Sequence, residues 1–129
     1  MRWITPIKRA RIIARAGGSC CYCGCELNEH SHTTDPACAT LDHVTPRNLG
    51  GSNDATNLVA CCARCNSRRQ DTPLRQWAFG IGLERAELAV EQNIPHRDDV
   101  VGEVATRLAA EIVRRVRNET RRALPKLAA

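Results

Sequence analysis

The chain has 129 residues, eight cysteines and a formal net charge of +5, from 19 basic and 14 acidic residues. This length suits a single domain, and the absence of any apolar run near the roughly 18 residues that a membrane span needs argues against an integral membrane protein. Two tryptophans, one tyrosine and one phenylalanine are its only aromatic residues, so the core must be small and a structural metal would contribute much of the folding free energy.

The cysteines could form disulfides or bind a metal. The first nine residues, 1–9, contain no apolar segment typical of a secretory signal, so we expect a cytoplasmic protein whose thiols stay reduced. Two C-x-x-C pairs, Cys20 with Cys23 and Cys62 with Cys65, then indicate one tetrahedral zinc site.

The remaining cysteines leave alternatives open. Cys21 and Cys61 lie next to the two pairs and could replace their neighbours in a shifted register. A second metal site would have to come from residues that form no familiar pair, namely Cys25, Cys38, His30 and His32.

The first half of the chain alternates short elements with turns. The pattern predicts a helix over residues 6–16 and an exposed, turn-rich insertion over 25–39. A short strand is predicted over 40–44, a loop over 46–53, and a brief second strand or turn over 57–59.

The second half is predicted to be helical. One helix is expected from Ala63 to about Gln70, and another begins with Thr72 as the N-cap and Pro73 at the first helical position. A further helix is predicted over 83–92, a break over 95–97, and a long helix from Asp98 or Asp99 to about Leu124. That last helix carries an apolar stripe at helical spacing, made of Val101, Val104, Ala105, Leu108, Ile112 and Val116.

Charge is distributed unevenly. Residues 1–16 carry five basic groups and no acid, and residues 107–129 carry seven basic groups and two acids, whereas residues 81–106 carry six acids and two arginines. Basic ends suit a polyanionic partner, although a charge run is also typical of a solvated helix surface.

Four side chains near the cysteine pairs suit hydrolytic chemistry: Asp42, His43, Asn57 and Asn66. Carboxylate and amide oxygens bind hard cations such as Mg²⁺. A neutral imidazole, with a reference pKa near 6.5, can take a proton from water. This combination indicates metal-dependent phosphodiester cleavage.

The order of these residues resembles the HNH endonuclease family, in its four-cysteine, zinc-stabilised branch. The resemblance covers roughly residues 9–70. It rests on a basic helix, a C-x-x-C pair, D-H-x-x-P followed by a Gly-Gly turn, N-L, and C-x-x-C-N with a basic residue three positions later. It implies an α+β fold with a ββα-metal core and one structural zinc held by Cys20, Cys23, Cys62 and Cys65.

The resemblance also implies roles in DNA cleavage. His43 would be the general base, Asp42 and Asn66 would hold the catalytic Mg²⁺ or Mn²⁺, and Asn57 would brace the loop and the ring of His43. The products would be a 5′-phosphate and a 3′-hydroxyl. Arg69 lies on nearly the same helical face as Asn66 and is expected to grip the phosphate, and weaker candidates for nucleic-acid contact are Arg68 and Arg47, each of which could equally face solvent.

This interpretation divides the chain into an HNH core over residues 1–71 and a helical extension over 72–129. The extension is expected to pack on the core, to contact DNA, or to mediate a homodimer or a larger nuclease or packaging assembly. A non-catalytic zinc module that binds nucleic acid is the alternative, but such a module would not need Asp42, His43 and Asn66 together.

Overall fold

The computed structural model describes residues 4–32, 34–93 and 98–124. The break predicted over 95–97 lies outside the described residues. In chain order the elements are α1, β1, β2, α2, α3 and α4, with the bounds Pro6–Arg15, Ala39–His43, Leu58–Cys62, Ala63–Arg69, Leu74–Asn93 and Asp98–Arg121. Short 3₁₀ turns at Arg47–Leu49 and Ala55–Asn57 lie between the strands. The α+β fold is as predicted, and β1, β2 and α2 form its ββα unit.

Helix α1 begins and ends where its local sequence predicts. The Thr5 hydroxyl accepts a hydrogen bond from the Lys8 N–H at 3.1 Å, which caps the first turn, and Pro6 occupies the first helical position. After Arg15 the chain turns through Gly17 and Gly18, both with positive φ. The helix contacts both strands and buries Ile12 and Ile13, whereas Ile7 is exposed.

The two strands form an antiparallel pair at the centre of the core. Ala39 lies opposite Cys62 and His43 lies opposite Leu58. All five residues of β2 are buried, so this strand is covered on both faces and extends further than the predicted residues 57–59. The register places the carboxyl end of β1 beside the start of β2.

The predicted insertion over 25–39 is exposed at half of its described residues and is anchored at both ends. Leu27 and Cys38 are buried, and the N–H of Asn28 donates to the Ala37 carbonyl at 2.8 Å. The segment therefore returns to the core directly before β1.

Helix α3 is one continuous helix: residues 83–92 are helical as predicted, but they continue the helix that begins after Pro73 and do not form a separate one. The glycines at 80 and 82 weaken the helical pattern in sequence, but Gly82 is where α3 meets α4. A Cβ atom at Gly82 would lie 2.6 Å from the Ala105 carbonyl oxygen, so the absent side chain permits the close approach of the two helices.

Helix α4 packs its apolar stripe inside this chain. Ala105, Ile112 and Val116 are buried, and α4 contacts α3, β2 and the turn before β2. Near its end, Glu119 accepts a hydrogen bond from Arg15 of α1 at 3.3 Å, a pair that is buried. Helices α3 and α4 thus contribute residues to the same apolar core as the strands. Among the residues that the structure describes, no helix has both the length and the hydropathy of a membrane span.

Candidate active site and thiol cluster

The loop after β1 is held by Asn57. Its Oδ1 accepts from the Thr45 N–H at 2.8 Å, and its Nδ2 donates to the carbonyls of Ser52 at 2.8 Å and Thr45 at 3.1 Å. Gly51 packs against the Thr45 carbonyl group. A Cβ atom at position 51 would lie 1.7 Å from that carbonyl oxygen, so only glycine permits this close approach. The Gly-Gly turn and Asn57 therefore fix the loop that follows His43.

Asp42 lies at the end of β1 with a buried carboxylate. Its Oδ2 accepts from the Tyr22 hydroxyl at 2.5 Å and from the Arg69 guanidinium at 2.7 Å. Burial, and then the Asp42 charge, raise the pKa of Tyr22 well above its usual range, so the hydroxyl keeps its proton and remains a donor. These two contacts orient the carboxylate and leave Oδ1 as the oxygen that a cation could take.

The structure corrects the expectation for Arg69. This side chain is completely buried, and its guanidinium donates to Asp42, to the Tyr22 hydroxyl, and to the carbonyls of His43 and Val44 at 2.8 and 2.6 Å. A group whose donors all point into protein cannot also grip a phosphate. Arg69 is a structural cation beneath the site.

The other two arginine candidates lie on the surface. Arg68 is exposed and forms an ion pair with Glu84 of α3. Arg47 is exposed at the start of the 3₁₀ turn that follows β1. Both positions are accessible to a ligand.

His43, the last residue of β1, is partly buried. Its Nε2 lies 2.7 Å from Asn53 Oδ1. Since an amide oxygen only accepts hydrogen bonds, Nε2 carries the proton in this arrangement and Nδ1 holds the basic lone pair. The residue that contacts the ring is therefore Asn53, whereas Asn57, which the sequence assigned to both loop and ring, braces the loop alone.

Asn66 lies on the first turns of α2 and connects that helix to β1. Its Nδ2 donates to the Thr40 hydroxyl at 3.0 Å and to the Leu41 carbonyl at 3.1 Å. Because Nδ2 makes both of these hydrogen bonds to β1, the strand that carries Asp42, the amide oxygen is available to bind a ligand. The structure thus places the carboxylate and the imidazole on adjacent residues of β1 and holds the amide of α2 against the same strand.

Behind this site, four thiols form a compact cluster: the sulfur atoms of Cys20, Cys23, Cys25 and Cys62 all lie within 4.8 Å of one another. The Cys23 and Cys62 sulfurs are 3.8 Å apart. Tetrahedral zinc with Zn–S bonds of about 2.3 Å needs sulfurs about 3.8 Å apart. The donor set and the spacing therefore fit zinc.

The cluster differs from the predicted quartet in one member. The sequence named Cys65, whereas the structure places Cys25 in the quartet because Gly24, with φ of +79°, reverses the chain and the Cys20 N–H donates to the Cys25 carbonyl. Cys65 remains close, since its thiol hydrogen-bonds to Cys20 and its N–H donates to the Cys62 sulfur at 3.4 Å. Five thiols meet at this point.

Position, not protonation, separates the clustered cysteines from their neighbours. The hydrogen bond with Cys65 is the largest influence on Cys20 and lowers its pKa to about 4, whereas burial raises the pKa of the clustered Cys25 and Cys62 and of the adjacent Cys21. The sulfurs of Cys21 and Cys61 lie outside the quartet, so the unshifted register is favoured. Among the described residues, this is the one group of three or more His, Cys, Asp or Glu side chains placed to share a metal ion.

Sequence reasoning missed two residues of this region, Asn53 and Tyr22, and considered a third, Cys25, only for a second metal site. Asn53 and Cys25 each have a signal in hindsight: Asn53 follows the Gly-Gly turn in a loop that returns to His43, and Cys25 follows a glycine. Tyr22, inside the first C-x-x-C pair, had none, because nothing local predicts that its hydroxyl reaches Asp42, 20 residues later.

Comparison with known proteins identifies the same region. The family model described as HNH endonuclease matches residues 20–76. The CRISPR-associated endonuclease Cas9 of Actinomyces naeslundii is 32% identical over 117 residues, which cover 86% of this chain and 10% of that protein. The CRISPR-associated endonuclease Cas9 of Corynebacterium diphtheriae is 32% identical over 77 residues, which cover 59% of this chain and 6% of that protein.

The chain thus spans about a tenth or less of the length of these curated relatives. The matched segment runs from the first thiol of the cluster through both strands and α2 to the start of α3. It contains Asp42, His43, Asn57 and Asn66, and it adopts the ββα arrangement with a four-thiol cluster. Over residues 20–76, this chain matches the HNH endonuclease family.

Proposed function

We propose that this chain is a divalent-metal-dependent endonuclease that hydrolyses phosphodiester bonds in DNA. The observation that carries the proposal is the tether between α2 and β1: Asn66 is hydrogen-bonded to the Leu41 carbonyl, one residue before Asp42 and two before His43. The match to the HNH endonuclease family and the endonuclease names of both relatives support the same conclusion.

In this proposal His43 is the general base. The hydrogen bond from Nε2 to Asn53 fixes the ring and leaves Nδ1 to accept a proton from water. Because water is the nucleophile, the substrate needs no 2′-hydroxyl, and DNA, which the family resemblance implies, is a competent substrate. Asn53 acts as a positioning residue, and Asn57 holds the loop that carries it.

Asp42 Oδ1 and the Asn66 amide oxygen would hold a hard cation, Mg²⁺ or Mn²⁺, and neither residue needs to break a hydrogen bond to do so. When bound, that cation would stabilise negative charge on the phosphate and on the departing 3′-oxygen. The Tyr22 and Arg69 contacts keep the carboxylate oriented. The family resemblance implies that hydrolysis leaves a 5′-phosphate and a 3′-hydroxyl.

The thiol cluster would hold a structural zinc ion. Cys20, Cys23 and Cys62 belong both to the predicted quartet and to the observed one. The fourth ligand is Cys25 in the observed quartet and Cys65 in the paired motif. The zinc content of the Cys25→Ser and Cys65→Ser proteins would show which of the two cysteines binds the ion. A zinc ion here would pin the turn of Tyr22 against the start of α2, and so support the hydrogen bonds to Asp42.

Plasmid cleavage tests the proposed activity. Zinc-loaded protein is incubated with supercoiled plasmid in the presence of Mg²⁺ or Mn²⁺ and without added divalent metal, beside His43→Ala protein purified in the same way. We expect nicked or linear plasmid with 5′-phosphate ends, only with metal and only with the wild-type chain. DNA that is bound but left intact under every metal would instead support the non-catalytic zinc module.

A further inference from the structure

A second candidate binding surface lies between α3 and α4. Arg75 and Phe79 of α3 and Arg114, Arg117 and Arg121 of α4 line a groove of about 520 Å³. The residues from α3 are four apart, and those from α4 are three and four apart, so each set lies on one face of its helix. The arginines extend about 10 Å along α4, so they can follow a few consecutive phosphates of one strand.

These arginines differ from most other basic residues of the chain. In the N-terminal helix, Lys8, Arg9 and Arg15 donate to backbone carbonyls. These basic groups therefore form hydrogen bonds within the protein. Elsewhere, Arg68 and Arg122 pair with glutamates.

The four arginines of the groove are exposed and form no ion pair with any described residue, and no carboxylate lines the groove. No described carboxylate forms an ion pair with these arginines to offset their mutual repulsion. A polyanion would supply the missing negative charge.

The groove also presents an aromatic ring. Phe79 is 44% exposed, although aromatic residues are scarce in this chain. A phenyl ring beside unpaired arginines provides both parts of a single-strand site, because an unpaired base can stack on the ring while the cations follow the backbone. In a B-form duplex the bases are stacked on one another and their faces are not available to Phe79.

We propose that this groove binds a single strand of DNA, with a base on Phe79 and the backbone along Arg114, Arg117 and Arg121. The choice of DNA rests on the proposed function. Binding here requires neither the catalytic cation nor His43, so it can be measured without cleavage. The groove would hold a strand of the substrate apart from the site at the end of β1.

Fluorescence anisotropy with a fluorescein-labelled oligothymidylate of about 15 nucleotides tests this, using zinc-loaded protein without added Mg²⁺ across a salt series. The double variant Arg114→Gln, Arg117→Gln should lower the slope of log affinity against log salt by about 1.4, since each phosphate contact on a single strand contributes about 0.7. Its matched control is Arg64→Gln, Arg107→Gln, which removes two exposed arginines from outside the groove.

Phe79→Ala should weaken binding about 5- to 150-fold through the lost stacking. Leu88→Ala, at an exposed apolar position on the same helix, should leave binding unchanged. Phe79→Leu keeps an apolar side chain against α4 and should show a similar loss, which covers the case in which the alanine variant fails to fold.

The inference is overturned if the groove and control pairs weaken binding equally, if Phe79→Ala binds as wild type does, or if a duplex or an RNA of equal length binds more tightly. Its failure is distinguishable from that of the proposed function. Groove-dependent binding by a protein that leaves plasmid intact would refute the nuclease alone. Plasmid cleavage by a protein whose groove variants bind normally would refute the groove alone.

Discussion

Replacing Arg69 with methionine tests whether this side chain stabilises the site from within. Arg69 makes five hydrogen bonds, to Tyr22, Asp42 and three backbone carbonyls, and is fully buried. Methionine has a similar length but no donors, so the Asp42 carboxylate would stay buried without its cation. Breaking a buried pair from one side costs about 3–5 kcal/mol, and each carbonyl left without a donor adds about 1 kcal/mol.

That loss approaches the whole stability of an ordinary domain, about 5–15 kcal/mol. The buried pair and the three carbonyls together give about 6–8 kcal/mol. In urea unfolding followed by circular dichroism with zinc present, a slope of about 2 kcal/mol per M predicts a midpoint lower by about 3–4 M. Arg68→Met is the matched control, because its pair with Glu84 is exposed and contributes at most about 1 kcal/mol.

The opposite pattern would refute this reasoning. If Arg69→Met unfolds at the wild-type urea concentration but loses affinity for DNA, then the guanidinium faces the phosphate, as the sequence suggested. Equal loss of stability in the Arg68 and Arg69 variants would likewise contradict a special role for the buried pair.

Three further predictions concern helix packing, zinc and the base. Gly82→Ala should lower stability by about 1–3 kcal/mol through overpacking against α4, whereas Gly80→Ala, where a Cβ atom meets open space, should raise it by about 0.5–1 kcal/mol; thermal unfolding measures both. Cys20→Ser should lose zinc while Cys21→Ser keeps one ion per chain, and zinc retained by both would place the register elsewhere. Asn53→Ala should lower kcat about tenfold with little change in KM, as expected for a lost hydrogen bond to the base; an effect on KM alone would instead indicate a role in binding DNA.

The sequence predicts those features whose causes are local. Thr5-Pro6 and Gly17-Gly18 begin and end α1 through capping and turn conformations that neighbouring residues decide. The spacing of the cysteine pairs and of Asp42-His43 likewise predicts the ββα unit. The apolar stripe of α4 follows from helical periodicity alone.

What the sequence does not predict depends on tertiary packing. Helical spacing places Arg69 on nearly the same face as Asn66, but only the packing of Tyr22 and β1 against α2 shows that Arg69 points inward. The contact between Asn53 and His43 crosses a loop whose path Asn57 fixes. In the sequence, Gly82 suggests an interruption of the helix, whereas in the structure it permits the close contact between α3 and α4. Each error has the same origin, which is a neighbour distant in sequence.

The central claim is that the imidazole at position 43 takes the proton from the attacking water. Its most direct test is the single-turnover cleavage rate of His43→Gly protein with saturating Mg²⁺, measured with and without added imidazole. We expect a rate about 10²- to 10⁴-fold below wild type, which imidazole raises in the variant alone. A His43→Gly variant that cuts at the wild-type rate, or imidazole that speeds both proteins alike, would contradict the assignment.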